Sequence, residues 1–330
     1  MSAQHAVAVL GGGAWGTALA LAATRAGHRV RLWMRDTDQA ADIIATRENR
    51  RYLPGIKLPD AIEITNSLFD LGGAGIVIVA VPAQAMRATA KSLAGILPAA
   101  VPLIVAAKGI EQGTGLFMSE IIEEILPDNP PALLSGPSFA ADVGRGLPTA
   151  VTLAAQYDRL AQDLARSLAS PALRLYHTGD LRGAEIGGAA KNVLAIAAGI
   201  AAGRGLGASA SAALIARGFA ELSRFGRAYG AKPETLMGLS GLGDLILTCN
   251  SVQSRNFSLG LNLGKGMDLA QALSGKLAEG AFTASALASM ARAKQIDMPI
   301  AMSVDAVLSG HCSIDEAIGA LLARPGKAEI

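Results

Sequence analysis

The apolar run Ala6 to Leu10 leads directly into Gly11-Gly12-Gly13-Ala14-Trp15-Gly16, and an alanine-rich stretch continues from there to Gly27. A G-x-G-x-x-G turn that leaves a strand and opens a helix constrains this chain more than any other feature it has. Gly11 permits the tight turn, Gly13 lets a pyrophosphate approach the backbone, and Gly16 lets helix and strand pack closely. The helix start supplies free N–H groups and partial positive charge, both suited to phosphate. The expected opening unit is therefore a strand–turn–helix that binds a dinucleotide.

The next strand, Arg29 to Met34, ends at Arg35-Asp36. An acidic residue here holds the ribose hydroxyls of NAD, and a basic one holds the 2′-phosphate of NADP. Both types are present, and the sequence leaves open which one faces the ribose. The expectation is a site for NADPH or NADH, with Arg35 favouring NADP competence.

Further strands are expected at Ile62 to Ile64, Ile76 to Val81, Leu103 to Ala107, Leu133 to Ser135, Ala150 to Leu153 and Leu173 to Tyr176, with helical stretches between several of them. Ile76-Val77-Ile78-Val79 is a continuous apolar run, the signature of a strand buried on both faces. The pattern predicts an α/β N-terminal Rossmann-type domain with a doubly wound, mostly parallel sheet. After about Thr178 the strand signal stops and an all-α C-terminal domain follows. It contains a long helix through Lys191, a second over Ser209 to Ala228 and shorter ones ending near Leu322. The domains are expected at 1–179, binding NAD(P), and 180–330, holding substrate and catalytic groups, with Gly179-Asp180 at the join.

Composition narrows the class of partner. The 29 Lys plus Arg nearly cancel the 27 Asp plus Glu, and the net +2 carries no basic block. Nucleic acid is not an expected partner. Although 51% of residues are hydrophobic, no stretch reaches the roughly 18 uninterrupted apolar residues of a spanning helix, so no membrane insertion is expected. The start of the chain lacks a basic region ahead of an apolar run, and a cytoplasmic location is expected. Cys249 and Cys312 lie far apart and the four histidines show no ligand spacing, so neither a disulfide nor a metal site is expected. With 38 glycines and 4% aromatics, the apolar excess points to close backbone packing. A homodimer is the expected assembly on base rates.

Chemistry-bearing residues then appear at strand ends and in the helical half. Lys108 follows the strand Leu103 to Ala107, where an open parallel sheet places its ligand crevice, although a lysine after a strand, taken alone, is more often a surface charge. Ser135-Gly136-Pro137-Ser138-Phe139-Ala140 is another turn of this kind, whose hydroxyls and N–H groups suit an oxygenated substrate, or equally an ordinary helix cap. Lys191-Asn192 interrupts a small and apolar helix, with Gly187-Gly188 one turn earlier leaving room for a ligand. Such a lysine is either a snorkelling rim residue or an acid/base group whose pKa is lowered by burial and a nearby cation. Gly241-Leu242-Gly243-Asp244-Leu245 and Gln253-Ser254-Arg255-Asn256 are polar islands. Ser254 is placed to cap a helix from Arg255 to Gly264, whose start would offer Arg, Asn and N–H donors to one phosphate. Cys249 reads as a small buried hydrophobe.

These motifs, together with Gly146-Leu147-Pro148-Thr149-Ala150 and Glu279-Gly280, occur in one order over nearly the whole chain. The chain thereby resembles the bacterial NAD(P)-dependent sn-glycerol-3-phosphate dehydrogenase family. The resemblance implies reversible hydride transfer between NAD(P)H and dihydroxyacetone phosphate, giving sn-glycerol 3-phosphate for phospholipid synthesis in the cytoplasm. It also implies roles. Lys191 matches the family's proton acceptor, and Lys108 a lysine shared by the substrate and cofactor sites. Gly136, Ser138, Asp244, Ser254, Arg255 and Asn256 match substrate positions. Ala14, Trp15, Arg35, Ala140, Arg255, Leu277 and Glu279 match positions that contact the dinucleotide, beside Gly11, Gly13 and Gly16. Ala14 stands where many members have Ser, and Ala278 where many have Val, which affects one pyrophosphate hydrogen bond and local packing. The nearest alternative is a 3-hydroxyacid or 6-phosphogluconate dehydrogenase, which places a Lys and Asn similarly; Ser254-Arg255-Asn256 favours a small phosphate ester. A redox-sensing dinucleotide module without turnover would need none of the polar islands.

Overall fold

The computed structural model describes residues 6–273 and 278–326. Eight strands form one sheet: β1 (Ala6–Leu10), β2 (Arg29–Trp33), β3 (Ile62–Thr65), β4 (Ile76–Val79), β5 (Leu103–Val105), β6 (Pro131–Ser135), β7 (Thr149–Ala155) and β8 (Leu173–Thr178). Their spatial order is β3-β2-β1-β4-β5-β6-β7-β8. The first six are parallel neighbours, β7 is antiparallel to β6, and β7 and β8 are parallel to each other. The order 3-2-1-4-5-6 is that of a dinucleotide-binding sheet, with its crevice at the carboxyl ends where strand order reverses between β1 and β4.

The strand interiors explain why this sheet is covered on both faces. Val7 and Val9 pack into one apolar cluster with Leu19, Leu32 and Ile78, while Ala8 and Leu10 pack into another with Val77, Val79 and Met86. Successive residues point to opposite faces, so a strand apolar at every position requires a helix layer above and below.

Beyond β8, Asp180 caps the long central helix Leu181–Gly203 by accepting a hydrogen bond from Gly183 N. By length and composition this helix could cross a membrane, although Arg182, Glu185 and Lys191 interrupt its apolar run. It is instead the buried axis of the helical half, and 89% of its most apolar window is buried in the protein. Its neighbours include the helices Gly207–Ala228, Asp244–Cys249, Arg255–Gly264 and Glu279–Ala293. The apolar excess goes into this packing. Gly199 and Gly203 face Phe257 O and Leu261 O, and Gly260 and Gly264 face Ile196 O and Ile200 O, so none of the four has room for a methyl group.

Two buried carboxylates cap helix starts from neighbouring elements. Glu221 accepts from Ile300 N at 2.8 Å and Ala301 N at 3.1 Å, while Glu185 of the central helix accepts from Ser119 N and Ser119 Oγ, both at 2.9 Å. Negative charge at a helix N-terminus is favourable. The Glu185 contact also ties the helix Met118–Ile125, between β5 and β6, to the helical half.

Candidate active site

The three motif glycines show why their side chains are absent. Gly11 has φ +123°, and a Cβ there would meet Ala80 O at 2.5 Å; a Cβ on Gly16 would strike Gly11 O; a Cβ on Gly13 would meet nothing within 4 Å. Two glycines are thus required by packing and the third leaves open space where a pyrophosphate can approach. The turn is held from behind, because Gly12 O accepts from Gln39 Nε2 at 2.6 Å and Asn49 Nδ2 at 2.9 Å. Ala14 and Trp15 open the helix Ala14–Arg25, and Trp15 packs half-buried against the sheet cluster. Arg35 is exposed at the end of β2. Asp36 is engaged as the cap of the next helix, accepting from Asp38 N and Gln39 N, and it pairs with Arg51 at 3.3 Å. These residues fit a dinucleotide.

Lysines from both halves converge on one carboxylate. Lys108, just past β5, donates to Asp244 Oδ2 at 2.7 Å and to Gly136 O at 3.1 Å. Lys191, near the middle of the central helix, donates to Asp244 Oδ1 at 2.6 Å and Thr248 Oγ1 at 2.8 Å. Asp244 lies where a π-turn, Leu239–Gly243, passes into the helix Asp244–Cys249, and its side chain is 1% exposed. Thr248 sits one turn later and returns its hydroxyl proton to Asp244 O at 2.6 Å.

The charge of this cluster follows from its burial. Burial pushes the Lys191 ammonium down to about 8; the Asp244 charge opposes that fall and the Lys108 charge adds to it. Burial alone would raise the Asp244 carboxyl, but the two ammonium groups hold it below the usual carboxylate range. Lys191 is therefore a buried acid near neutrality, fixed by two hydrogen bonds and available as proton donor or acceptor. Cys249, beside it, is driven by burial to about 12 and stays a thiol.

The remaining predicted residues have different structural settings. Gly136 has φ +146° and lies against Val151, and Ser138 Oγ donates to Gly136 O at 3.1 Å. Ala140 begins the short helix Ala140–Arg145. Ser254 caps the helix Arg255–Gly264 by accepting from Phe257 N at 3.2 Å. Arg255 is exposed at its first turn, whereas Asn256 points inward, donating to Asn192 Oδ1 and accepting from Gly280 N, both at 2.9 Å. Asn192 in turn donates to Lys108 O at 3.2 Å. A chain of amides thus runs from the phosphate-type helix start to the first lysine. Glu279, half-buried, accepts from Ala83 N at 3.1 Å and joins the turn after β4 to the helical half. Leu277 lies outside the described residues.

One reading is corrected. Gly187 and Gly188 do not leave room for a ligand: a Cβ on Gly187 would meet Ser240 O at 2.5 Å, and one on Gly188 would meet Ser135 Oγ at 2.8 Å and Lys108 Cγ at 3.3 Å. They let the π-turn and Lys108 pack onto the central helix. Thr248 and Glu185 were not singled out from sequence. The spacing Asp-x-x-x-Thr, one helical turn, is the signal that could have found Thr248. Cys249 and Cys312 are free thiols, and among the described residues no group of His, Cys, Asp or Glu is arranged to hold a metal.

Residues 6–161 match the family model of the NAD-dependent glycerol-3-phosphate dehydrogenase N-terminus, and residues 180–319 that of its C-terminus. The glycerol-3-phosphate dehydrogenase (NAD(P)+) of Methylobacterium radiotolerans is 59% identical over 330 residues, covering 100% of this chain and 99% of the relative. That of Azorhizobium caulinodans is 59% identical over 329 residues, covering all of both. Among solved structures, glycerol-3-phosphate dehydrogenase from Coxiella burnetii superposes with a TM-score of 0.93 at 37% identity, over 97% of this chain and 99% of that one.

Proposed function

The chain belongs to the NAD-dependent glycerol-3-phosphate dehydrogenase family, an NAD(P)-using oxidoreductase that acts on a CH–OH group, and from that premise we propose that Lys191 is the group that moves the proton. The observation that carries this reading is the bridge of one buried carboxylate between two lysines, Lys191 Nζ at 2.6 Å and Lys108 Nζ at 2.7 Å from the two oxygens of Asp244.

When bound, NADPH or NADH supplies the hydride. As negative charge builds on the carbonyl oxygen of dihydroxyacetone phosphate, the Lys191 ammonium stabilises it and then gives up its proton. In the reverse direction the neutral amine takes the hydroxyl proton of sn-glycerol 3-phosphate. Asp244 and Thr248 hold the amine in one place for both directions, and Lys108 orients the substrate oxygens. Ser254, Arg255 and the N–H groups of their helix start hold the phosphate, with Asn256 bracing that start against Asn192. Gly136 and Ser138 complete the substrate wall. For the dinucleotide, Gly11, Gly13, Ala14, Trp15 and Gly16 form the pyrophosphate cradle, Arg35 lies at the ribose end, and Ala140, Arg255 and Glu279 lie along the crevice.

We take the first 179 residues as the dinucleotide domain and the rest as the substrate domain, because β8 ends at Thr178 and Asp180 caps the next helix. A homodimer working in the cytoplasm is the accompanying reading; sedimentation of the purified protein checks the assembly.

NADPH oxidation measured side by side with dihydroxyacetone phosphate, 6-phosphogluconate and a free 3-keto acid tests the function. Turnover is expected with the first alone. Preference for the sugar acid or the keto acid would move the chain's activity to the neighbouring dehydrogenases, and no reaction with any of them would leave a binding module.

A further inference from the structure

Beside Lys108 lies a small cavity of about 10 Å³, lined among others by Lys108, Met118, Ser135, Ala184, Glu185 and Gly188. That volume accommodates the centre of a single water molecule. Ser135 is 2% exposed, and its Oγ is the one buried side-chain polar atom among the described residues with no hydrogen-bond partner. An unpaired buried hydroxyl is unfavourable, so native proteins rarely keep one. Glu185 reaches the same cavity. Its carboxylate takes two hydrogen bonds from Ser119, and a carboxylate has about four acceptor positions.

Ser135 also stands next to Gly136, whose carbonyl accepts from Lys108 Nζ at 3.1 Å. The Gly136 backbone lies tight against Val151, since a Cβ there would come within 2.9 Å of Val151 Cα. The position of that carbonyl is therefore set by how the end of β6 is anchored. We propose that this cavity is a one-water site in which Ser135 Oγ and the Glu185 carboxyl hold the water between them, making both residues positioning residues for Lys108. The proposal rests on the reading of Lys108 as a substrate-orienting group.

The site has a built-in titration. Burial pushes the Glu185 carboxyl up to about 7, while the Ser119 backbone and hydroxyl bonds and the Arg182 charge oppose that rise and Glu120 adds slightly to it. The charged groups facing it are Arg182 on its own helix, Glu120 on the helix Met118–Ile125 and Lys108 on the loop after β5; β6 contributes none. Ionisation of Glu185 adds an acceptor for the water, which tightens the anchoring of Ser135 and of the Gly136 carbonyl that holds Lys108, so the hold on substrate is expected to strengthen through neutral pH.

A crystal structure of the unliganded protein and steady-state kinetics of Ser135→Ala and Glu185→Gln test this. The expected density is one water within hydrogen-bonding distance of Ser135 Oγ and Glu185, absent in Ser135→Ala. Loss of one such bond predicts a KM for dihydroxyacetone phosphate raised about three- to tenfold, with the KM for NADPH unchanged. In the wild type this substrate KM is expected to inflect near pH 7, and Glu185→Gln is expected to remove the inflection. A dry cavity, or a Ser135→Ala variant whose substrate KM and pH profile match the wild type, overturns the proposal. If Ser135→Ala does not fold, the Glu185→Gln profile decides alone. Absence of wild-type turnover with dihydroxyacetone phosphate would count against the proposed function and leave the water site to be judged by its density.

Discussion

Replacement of Lys191 by Ala is expected to lower dihydroxyacetone phosphate reduction by about 10²- to 10⁴-fold, the usual range for removing a positioned general acid, while NADPH binding persists. The separation follows from where the residue sits. Lys191 lies near the middle of the central helix with its ammonium on Asp244 and Thr248, whereas the glycine cradle belongs to the turn after β1. Its removal leaves the dinucleotide site intact. It also leaves Lys108 paired with Asp244 at 2.7 Å, so the buried carboxylate keeps a counter-charge and the fold is retained. NADPH fluorescence titration and turnover on the same preparation check both halves.

Asp244→Asn is expected to damage stability as well as rate. With the carboxylate gone, the buried Lys191 ammonium and the partly buried Lys108 ammonium face a neutral amide, and removing one partner of a buried ion pair costs about 3–5 kcal/mol. The cost falls partly on protonation. The charge that opposes the fall of the Lys191 pKa is removed while burial and Lys108 remain, so Lys191 drops further below about 8 and is less often protonated at neutral pH. Reduction at pH 7.5 is therefore expected to fall about threefold for the first pKa unit lost, approaching about tenfold for each further unit. Denaturant unfolding reads the stability loss. Because Lys108 supplies one of the two stranded charges, adding Lys108→Met to Asp244→Asn is expected to restore part of it, a coupling of about 0.5–3 kcal/mol in a double-mutant cycle. An Asp244→Asn protein that unfolds at the wild-type denaturant concentration would contradict the bridge.

The parts of this molecule that local chemistry determines were legible in its sequence. All eight strands are legible in the sequence, β1, β4, β5 and β6 as runs apolar nearly throughout and β2 and β3 as alternations of apolar with polar residues, and so is the helix Arg255–Gly264 with its Ser254 cap. Boundaries shifted where tertiary contacts decide. β4 stops at Val79 because the chain turns at Ala80, whose carbonyl abuts Gly11. β6 begins earlier than expected, at Pro131, a residue tolerated at a strand's first position. The reversal of β7 was not readable, since an apolar strand has the same pattern in either direction. The site residues were legible as types and order. Their pairing was not, because Lys191 and Asp244 are 53 positions apart and no periodicity joins them. Gly187 and Gly188 show the same limit: small residues signal a close approach, but the sequence does not say whether a ligand or Ser135 and Ser240 make it.

The pH dependence of kcat/KM in both directions tests most directly whether Lys191 carries the proton. With its ammonium lowered to about 8, the protonated form needed for reduction predominates below that pH and the neutral amine needed for oxidation predominates above it. Apart from the step near pH 7 that Glu185 introduces through KM, and that Glu185→Gln removes, dihydroxyacetone phosphate reduction is expected to be level below about pH 8 and to fall above it. Oxidation of sn-glycerol 3-phosphate is expected to rise up to the same pH and then level off. Both bends at one pH would support Lys191 as the shared acid and base; a reduction rate level from pH 7 to 10, or bends at two unrelated pH values, would contradict it.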